Sequence, residues 1–488
     1  MNLLPGTERH LQTNKPKRES MPILPRGTHF TDGQTSHIDT SNGLNALIDL
    51  ALQLPISHIS IDCKYTYPKA PVTLPNGYDK YDISTIKPTQ LCLTLCTSDT
   101  VSMELHTFII NLESNVEISH LQALFDLPVI FTAYNANSVL HCLWRLGLKE
   151  PHQIWDILIA EKARYLGLHQ LNKHHEFDDL SSKIDAQESF TQERKDFYSL
   201  FATTTRYGQD SPQLEQTETT CVEVAKLYIL QVQAVVIQGI YNHLLNVEMP
   251  WIITNAGMER NGVLVCREQC SKILKGTKAK LAQWQSELAV YGLINPSSHD
   301  DKVTFFNSLG LLHHFKNGCD YSFQREALST NYNLQQLMDK FLNMFPTLGK
   351  SMDLAPQYGF IRGYVSTATG LQRLRPQDAE RNRKEKNWMV NMPVQGTAAA
   401  LFKVAGNRLH QLYKRHNAKL IVALHDAFVF EAPAEELKEV ASLTSQVMIQ
   451  VIQERYPQLN IRTDINTLQP KCWNKDGNVN TIEEWLKK

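Results

Sequence analysis

From Gly43 onward the apolar positions of this chain switch repeatedly between a helical and an alternating period. Ala46 to Leu54 has the spacing of a short amphipathic helix, and His58-Ile-Ser-Ile-Asp62 alternates as a half-buried strand does. Thr89 to Thr97 and Pro128-Val-Ile-Phe131 predict two further strands, and Ser138 to Leu146 predicts a helix. Strands alternating with helices imply an α/β layer around a central sheet. Val222 to Leu245, a long apolar-periodic helix, closes this part of the chain, so the pattern bounds a domain at 43–246. Met1 to about Asn42 is rich in Pro, Ser, Thr, Asn and Arg, and is expected to be a disordered leader. Ser181 to Gln216, charged and polar with a Gly208–Pro212 break, reads as a linker or lid.

Beyond Met249 the pattern is mainly helical, with a helix expected over Cys270 to Leu288. A second segment at 345–488 returns to mixed periods. Val390 to Ala405 reads as a turn leading into a helix, with Pro393 in the first turn, where its missing N–H costs nothing. Lys419 to Pro433 has two apolar, β-branched arms around a polar pair, which predicts a hairpin with His425 and Asp426 at its tip. A carboxylate there can reach a metal ion, although turns also favour Asp for local hydrogen-bonding reasons. Glu435 to Glu454 is a further amphipathic helix, Leu459 to Ile465 a returning strand, and Cys472 to Gly477 a capped turn. Thr481, with Glu484 three residues on, caps a short closing helix.

Composition narrows this little. The 488 residues suffice for two to four structural units, and 42% hydrophobic with 20% charged residues is ordinary for a globular protein. No run reads as long enough to span a membrane, and no signal peptide is evident, so a cytoplasmic protein with no membrane partner is expected. The nine cysteines lack a CxxC pair and read as reduced buried thiols, with zinc as the alternative. A net charge of −1 gives no overall attraction to DNA; the cluster from Arg373 through Arg375 and Arg381 to Lys386 is the most basic stretch. It is either a phosphate contact or a solvated loop.

The segment Asn391-Met-Pro393-Val-Gln395-Gly-Thr-Ala-Ala followed by the His425-Asp426-Ala427 tip resembles the end of the palm of family A DNA polymerases, the DNA polymerase I type. That family carries "N-x-P-x-Q-G-T-A-A" and then "H-D-E". Here Ala427 replaces the Glu, as in an "H-D-A" branch. The resemblance implies that Asp426 is a catalytic ligand of Mg2+ and that His425 lies near the primer end. It also implies that Asn391 and Gln395 read the minor groove and that Arg373 and Arg375 hold phosphates of a DNA primer-template. Met258-Glu259-Arg-Asn261-Gly262 resembles the opening motif of the polymerase domain, and Ile294 to Leu328 follows thumb motifs, giving an opening segment and thumb at 247–344 and a partial palm at 345–488.

The region 43–246 resembles the 3′–5′ exonuclease domain of the same family, a ribonuclease H-like fold, but its ligand set is degenerate. Asp62 stands where the first Asp belongs, Lys64 replaces the Glu, Val139 replaces the next Asp and Cys221 the last. Two divalent cations close together repel, and one carboxylate beside an ammonium cannot offset that. The domain therefore reads as non-hydrolytic, with Glu223 the one candidate to restore a ligand. Asp156 matches a structural residue of that family. The expected fold is thus α/β: an exonuclease-type domain, a helical thumb and a partial α+β palm.

Between Leu328 and Phe345 the family's strand "D-Y-S-x-x-E", which brings the second metal-binding Asp, and its fingers helix are not found. Asp320-Tyr-Ser-Phe-Gln-Arg-Glu326 echoes that strand but overlaps a thumb motif, so Asp320 is either a loop residue before a thumb helix or the second ligand. Two functions remain: a family A DNA polymerase of replication or repair, deficient in synthesis alone, or a silent DNA-binding or assembly subunit. In the second case a partner chain would complete the palm.

Overall fold

The computed structural model describes residues 29–73, 79–98, 102–167, 214–263, 267–296, 298–317, 320–321, 359–375 and 383–465. The chain divides into two units. The first comprises Met1–Arg260 with Ser366–Leu374 and Gly396–Gln411; the second comprises Asn261–Val365, Arg375–Gln395 and Leu412–Lys488.

In the first unit the order is β1 (His29–Ile38), α1 (Ser41–Gln53), β2 (Ile56–Thr66), β3 (Lys87–Ser98), β4 (Ser102–Asn111) and β5 (Ile130–Ala133). Next come α2 (Ala136–Arg145), β6 (Gln153–Asp156), α3 (Ile157–Arg164), α4 (Leu214–Gln238) and α5 (Met249–Asn261). Six strands form one mixed sheet in the order β1-β4-β3-β2-β5-β6. β3 runs antiparallel to β2 and to β4, whereas β5 is parallel to β2, β6 to β5 and β1 to β4. The central strand β2 buries His58 through Ile61 consecutively, as a strand covered on both faces does. Leu44, Leu47, Ile48 and Ala51 of α1 recur at the helical period and are buried, and the Thr40 hydroxyl accepts from the Gly43 N–H to start the helix.

The part of the expected leader that is described differs from the expectation. His29–Ile38 pairs with β4 from His29↔Ser102 to Ile38↔Ile110, so edge pairing overrides a polar composition. The strand β4 and the short β6 were also unforeseen. The closing helix starts earlier than expected and stops at Gln238, where Gly239 takes φ +81°. Its window Cys221–Gln238 is long and apolar enough to cross a membrane. Val224, Ala225, Leu227, Tyr228, Val232 and Val235 of that helix belong to the core beneath the sheet.

In the second unit lie α6 (Arg267–Val290), α7 (His299–Ser308), the pair β7 (Lys316–Asn317) and β8 (Asp320–Tyr321), and α8 (Arg383–Asn391). They are followed by α9 (Thr397–Tyr413), β9 (Lys419–Leu424), β10 (Ala427–Glu431) and α10 (Leu437–Arg455). Gly396–Gln411, most of α9, belongs to the first unit. Two expectations need correction. Pro393 is not in the first turn of a helix, because α8 precedes it and a π-helical turn, Met392–Gly396, joins α8 to α9. A proline inside a helix removes one donor and clashes with the carbonyl four residues back, and a wider turn relieves both. Residues 459–465 form no strand, so β9 and β10 pair only with each other among the described residues. The turn expected at 472–477 and the helix at 481–486 lie outside the described residues.

Candidate metal and nucleic-acid site

The hairpin forms as the alternation predicts. Lys419 faces Glu431, Leu420 faces Phe430 and Leu424 faces Ala427, with a register shift between Leu420 and Val422. That register leaves a two-residue loop, His425-Asp426, with both side chains exposed. His425 adopts φ +51°, the left-handed conformation that the first position of a tight hairpin turn requires. Beneath the turn Phe430 packs on Tyr413, whose hydroxyl pairs with Thr444 at 2.6 Å, and Asn261 Nδ2 donates to the Leu420 carbonyl at 2.9 Å. Asp426 is thus carried on an anchored arm. It engages no described residue by hydrogen bond or ion pair.

Asn391 ends α8 and Gln395 lies in the π-turn; both are exposed, with Val394 exposed between them. Arg375 is differently placed. Its Nε donates to Glu385 Oε1 at 2.5 Å and its Nη2 to Oε2 at 3.4 Å, and its guanidinium lies 5.3 Å over the Phe360 ring. With Glu385 buried, that guanidinium is committed to neutralising a carboxylate. Arg373 belongs to the first unit, whereas Asn391, Gln395 and Asp426 belong to the second. Burial holds the half-buried Arg373 guanidinium below its usual range. The stretch carrying Arg373 is fixed by the Leu374 N–H, which donates to the Leu166 carbonyl at 2.7 Å.

A buried ionic cluster in the first unit was missed in the sequence. Lys403 Nζ donates to both Glu248 oxygens at 2.8 and 2.7 Å, and His243 lies between Glu248 (3.2 Å) and the Thr369 hydroxyl (3.0 Å). Burial alone would raise Glu248, but the His243 hydrogen bond and the Lys403 charge hold it below the ordinary carboxylate range. The only sequence signal was a lysine interrupting the apolar stripe of α9.

The four degenerate positions fall in the first unit. Asp62 lies half-buried on β2 and accepts from the Cys63 N–H at 2.9 Å; burial raises its carboxyl to about 7, against that hydrogen bond. Lys64 forms no ion pair with it. Val139 is buried in α2, and Cys221 is buried in α4, its Sγ 3.6 Å from the Cys92 carbonyl. Asp156 is structural: Oδ1 accepts from the N–H groups of Leu158 and Ile159 and Oδ2 from that of Ala136, capping two helices. Glu223 is half-buried on α4. Among the described residues no three His, Cys, Asp or Glu side chains converge as a metal site. Asp320 stands in β8, paired with β7 through Asp320↔Asn317.

The described residues thus form a mixed α/β protein with an exposed carboxylate at a hairpin tip. The comparisons narrow this. Residues 318–475 match the family model for DNA polymerase family A. DNA polymerase I of Deinococcus radiodurans is 33% identical over 117 residues, 23% of this chain and 12% of that protein. The thermostable DNA polymerase I of Thermus aquaticus is 34% identical over 119 residues, 23% of this chain and 14% of that protein. The matched stretch thus spans about an eighth of these relatives' length. The fold is similar to the POL domain of Pol1 from M. smegmatis, solved in complex with DNA primer-template and dNTP. That match has a TM-score of 0.60 and 14% identity, and covers 86% of this chain and 96% of that one. The C-terminal stretch 318–475 is similar to the family A DNA polymerases.

Proposed function

We propose that this chain is a DNA-binding protein of family A polymerase descent, acting in DNA replication or repair, with template-directed synthesis weak or absent in the isolated chain. The observation that carries the reading is Asp426, exposed at the tip of a two-stranded hairpin, with no cluster of three or more His, Cys, Asp or Glu side chains among the described residues. Phosphoryl transfer by two metals needs carboxylates converging from two strands, and a cation for the triphosphate. Asp426 would offer Mg2+ one hard oxygen ligand, and the ion would supply charge neutralisation at a transferring phosphoryl group. Asn391 and Gln395 would meet the minor groove of a primer-template, where amides can both donate and accept. His425 would sit beside the primer end.

The sheet of the first unit supports the exonuclease-type reading. Its central strand β2 has the antiparallel pair β3 and β4 on one side and the parallel strands β5 and β6 on the other. Val139 and Cys221, both buried and neither a carboxylate, support a non-hydrolytic role. The five described free cysteines are all buried, which fits a reducing compartment such as the cytoplasm.

Primer extension with Mg2+ and four nucleotides tests this, alongside binding to the same primer-template over a salt series. Binding that weakens with salt, without extension, is expected. Robust synthesis by the purified chain, lost in Asp426→Ala, would overturn the idle reading. Extension only on adding a second polypeptide would favour the alternative, an assembly subunit whose palm a partner completes.

A further inference from the structure

Three residues of α2 stand in one helical stripe: Asn137, His141 and Trp144, at spacings of four and three. All three meet the last turn of α5. Asn137 Nδ2 donates to Glu259 Oε2 at 2.9 Å, His141 Nε2 lies 3.4 Å from the same oxygen, and the Arg260 guanidinium sits 5.1 Å over the Trp144 ring. Glu259 and Arg260 are the last residues of the first unit before the chain enters the second at Asn261. The stripe therefore grips the point where the chain leaves the sheet-bearing unit.

The imidazole is the weak member of this grip. Its side chain is 3% exposed, and its buried Nε2 has no partner at hydrogen-bonding geometry. Glu259, the carboxylate facing it, is 43% exposed and already accepts from Asn137. Charging a ring so enclosed costs more than a solvent-screened carboxylate at 3.4 Å returns.

We propose that the Asn137–His141–Trp144 stripe is an acid-released latch on the end of α5, closed while His141 is neutral and opened when it takes a proton. The charged groups facing the ring are Glu259, which favours protonation, Arg260, which opposes it, and Asp82 from the loop beyond β2, which favours it. Desolvation outweighs them and keeps the imidazole below its usual value of 6.5. The linkage follows: a ring less basic in the closed state than in solvent binds protons preferentially when open, so acid drives opening. Each unit of that difference opens the latch tenfold further once pH lies below both values.

Hydrogen exchange of the Met258–Asn261 amides in the full chain, at pH 7.5 and 5.5 and corrected for intrinsic rates, reads the latch directly. Protection is expected to fall several-fold at the lower pH in the native chain and to be flat with pH in His141→Gln. In Glu259→Gln, which withdraws the favourable carboxylate, the fall should be larger. An unchanged or increased protection at pH 5.5 would overturn the proposal, as would the same pH response in His141→Gln. NMR titration of His141 in the unaltered chain gives a second check should a variant fail to fold: an imidazole that titrates at or above 6.5 would sink the latch.

Discussion

Asp62 is half-buried and Asp156 fully buried, and their surroundings set opposite uses. Asp62 has one backbone donor and a carboxyl raised to about 7. Its folded value exceeds its unfolded one, so its favourable contribution is complete below about 3.8 and lost as pH rises towards 7. Asp62→Asn should therefore stabilise the protein at pH 8 by about 1–3 kcal/mol and leave it unchanged at pH 4, measured by thermal unfolding at both. Asp156 has three backbone donors from two helix starts. Asp156→Ala should destabilise by about 2–4 kcal/mol in denaturant unfolding, through lost capping and buried N–H groups left without partners. Arg375→Ala would strand buried Glu385 and cost about 3–5 kcal/mol. A variant that instead folded normally and lost only DNA affinity would restore the phosphate role to Arg375.

At the scale of elements, the decisive features are a turn and two packed helices. The left-handed φ of His425 costs a non-glycine residue about 1 kcal/mol, so His425→Gly should stabilise the hairpin by up to that amount in equilibrium unfolding. Such a gain alongside weakened primer-template binding would mark His425 as retained for function. Gly257 on α5 faces α9 so closely that a Cβ would lie 2.7 Å from the His410 ring. Gly257→Ala should separate the two helices and cost about 1–3 kcal/mol, checked by thermal unfolding. The turn is local, whereas the Gly257–His410 approach joins segments remote in sequence.

For the whole molecule, the two units interleave along the chain. Ser366–Leu374 and Gly396–Gln411 join the sheet-bearing unit although they lie in the C-terminal half. A boundary drawn at 246/247 from periodicity therefore misses that α5 and part of α9 share one core region. The Thr254 hydroxyl donates to Asn407 Oδ1 at 2.8 Å, and Asn407 Nδ2 donates to the Val247 carbonyl at 3.2 Å. Removing the charge at Lys403 with Lys403→Met should loosen this join, leaving Glu248 with His243 alone. A loss of about 2–4 kcal/mol in denaturant unfolding is expected.

Local pattern alone determined the helices and strands with strong periods, the hairpin and its His425-Asp426 tip, because apolar alternation and turn chemistry act over neighbouring residues. It also determined that Val139 and Cys221 cannot supply the carboxylate oxygens that a two-magnesium site needs, since that follows from side-chain chemistry. Tertiary structure alone decided that His29–Ile38 is a strand, that Pro393 sits within a π-turn, that residues 459–465 pair with nothing described, and that Arg375 neutralises Glu385. Each of these depends on what surrounds a residue: a sheet edge, a preceding helix, the strands within reach or a buried carboxylate. Hydrophobic periodicity carries no record of such neighbours, because the energy involved arises only once distant segments meet.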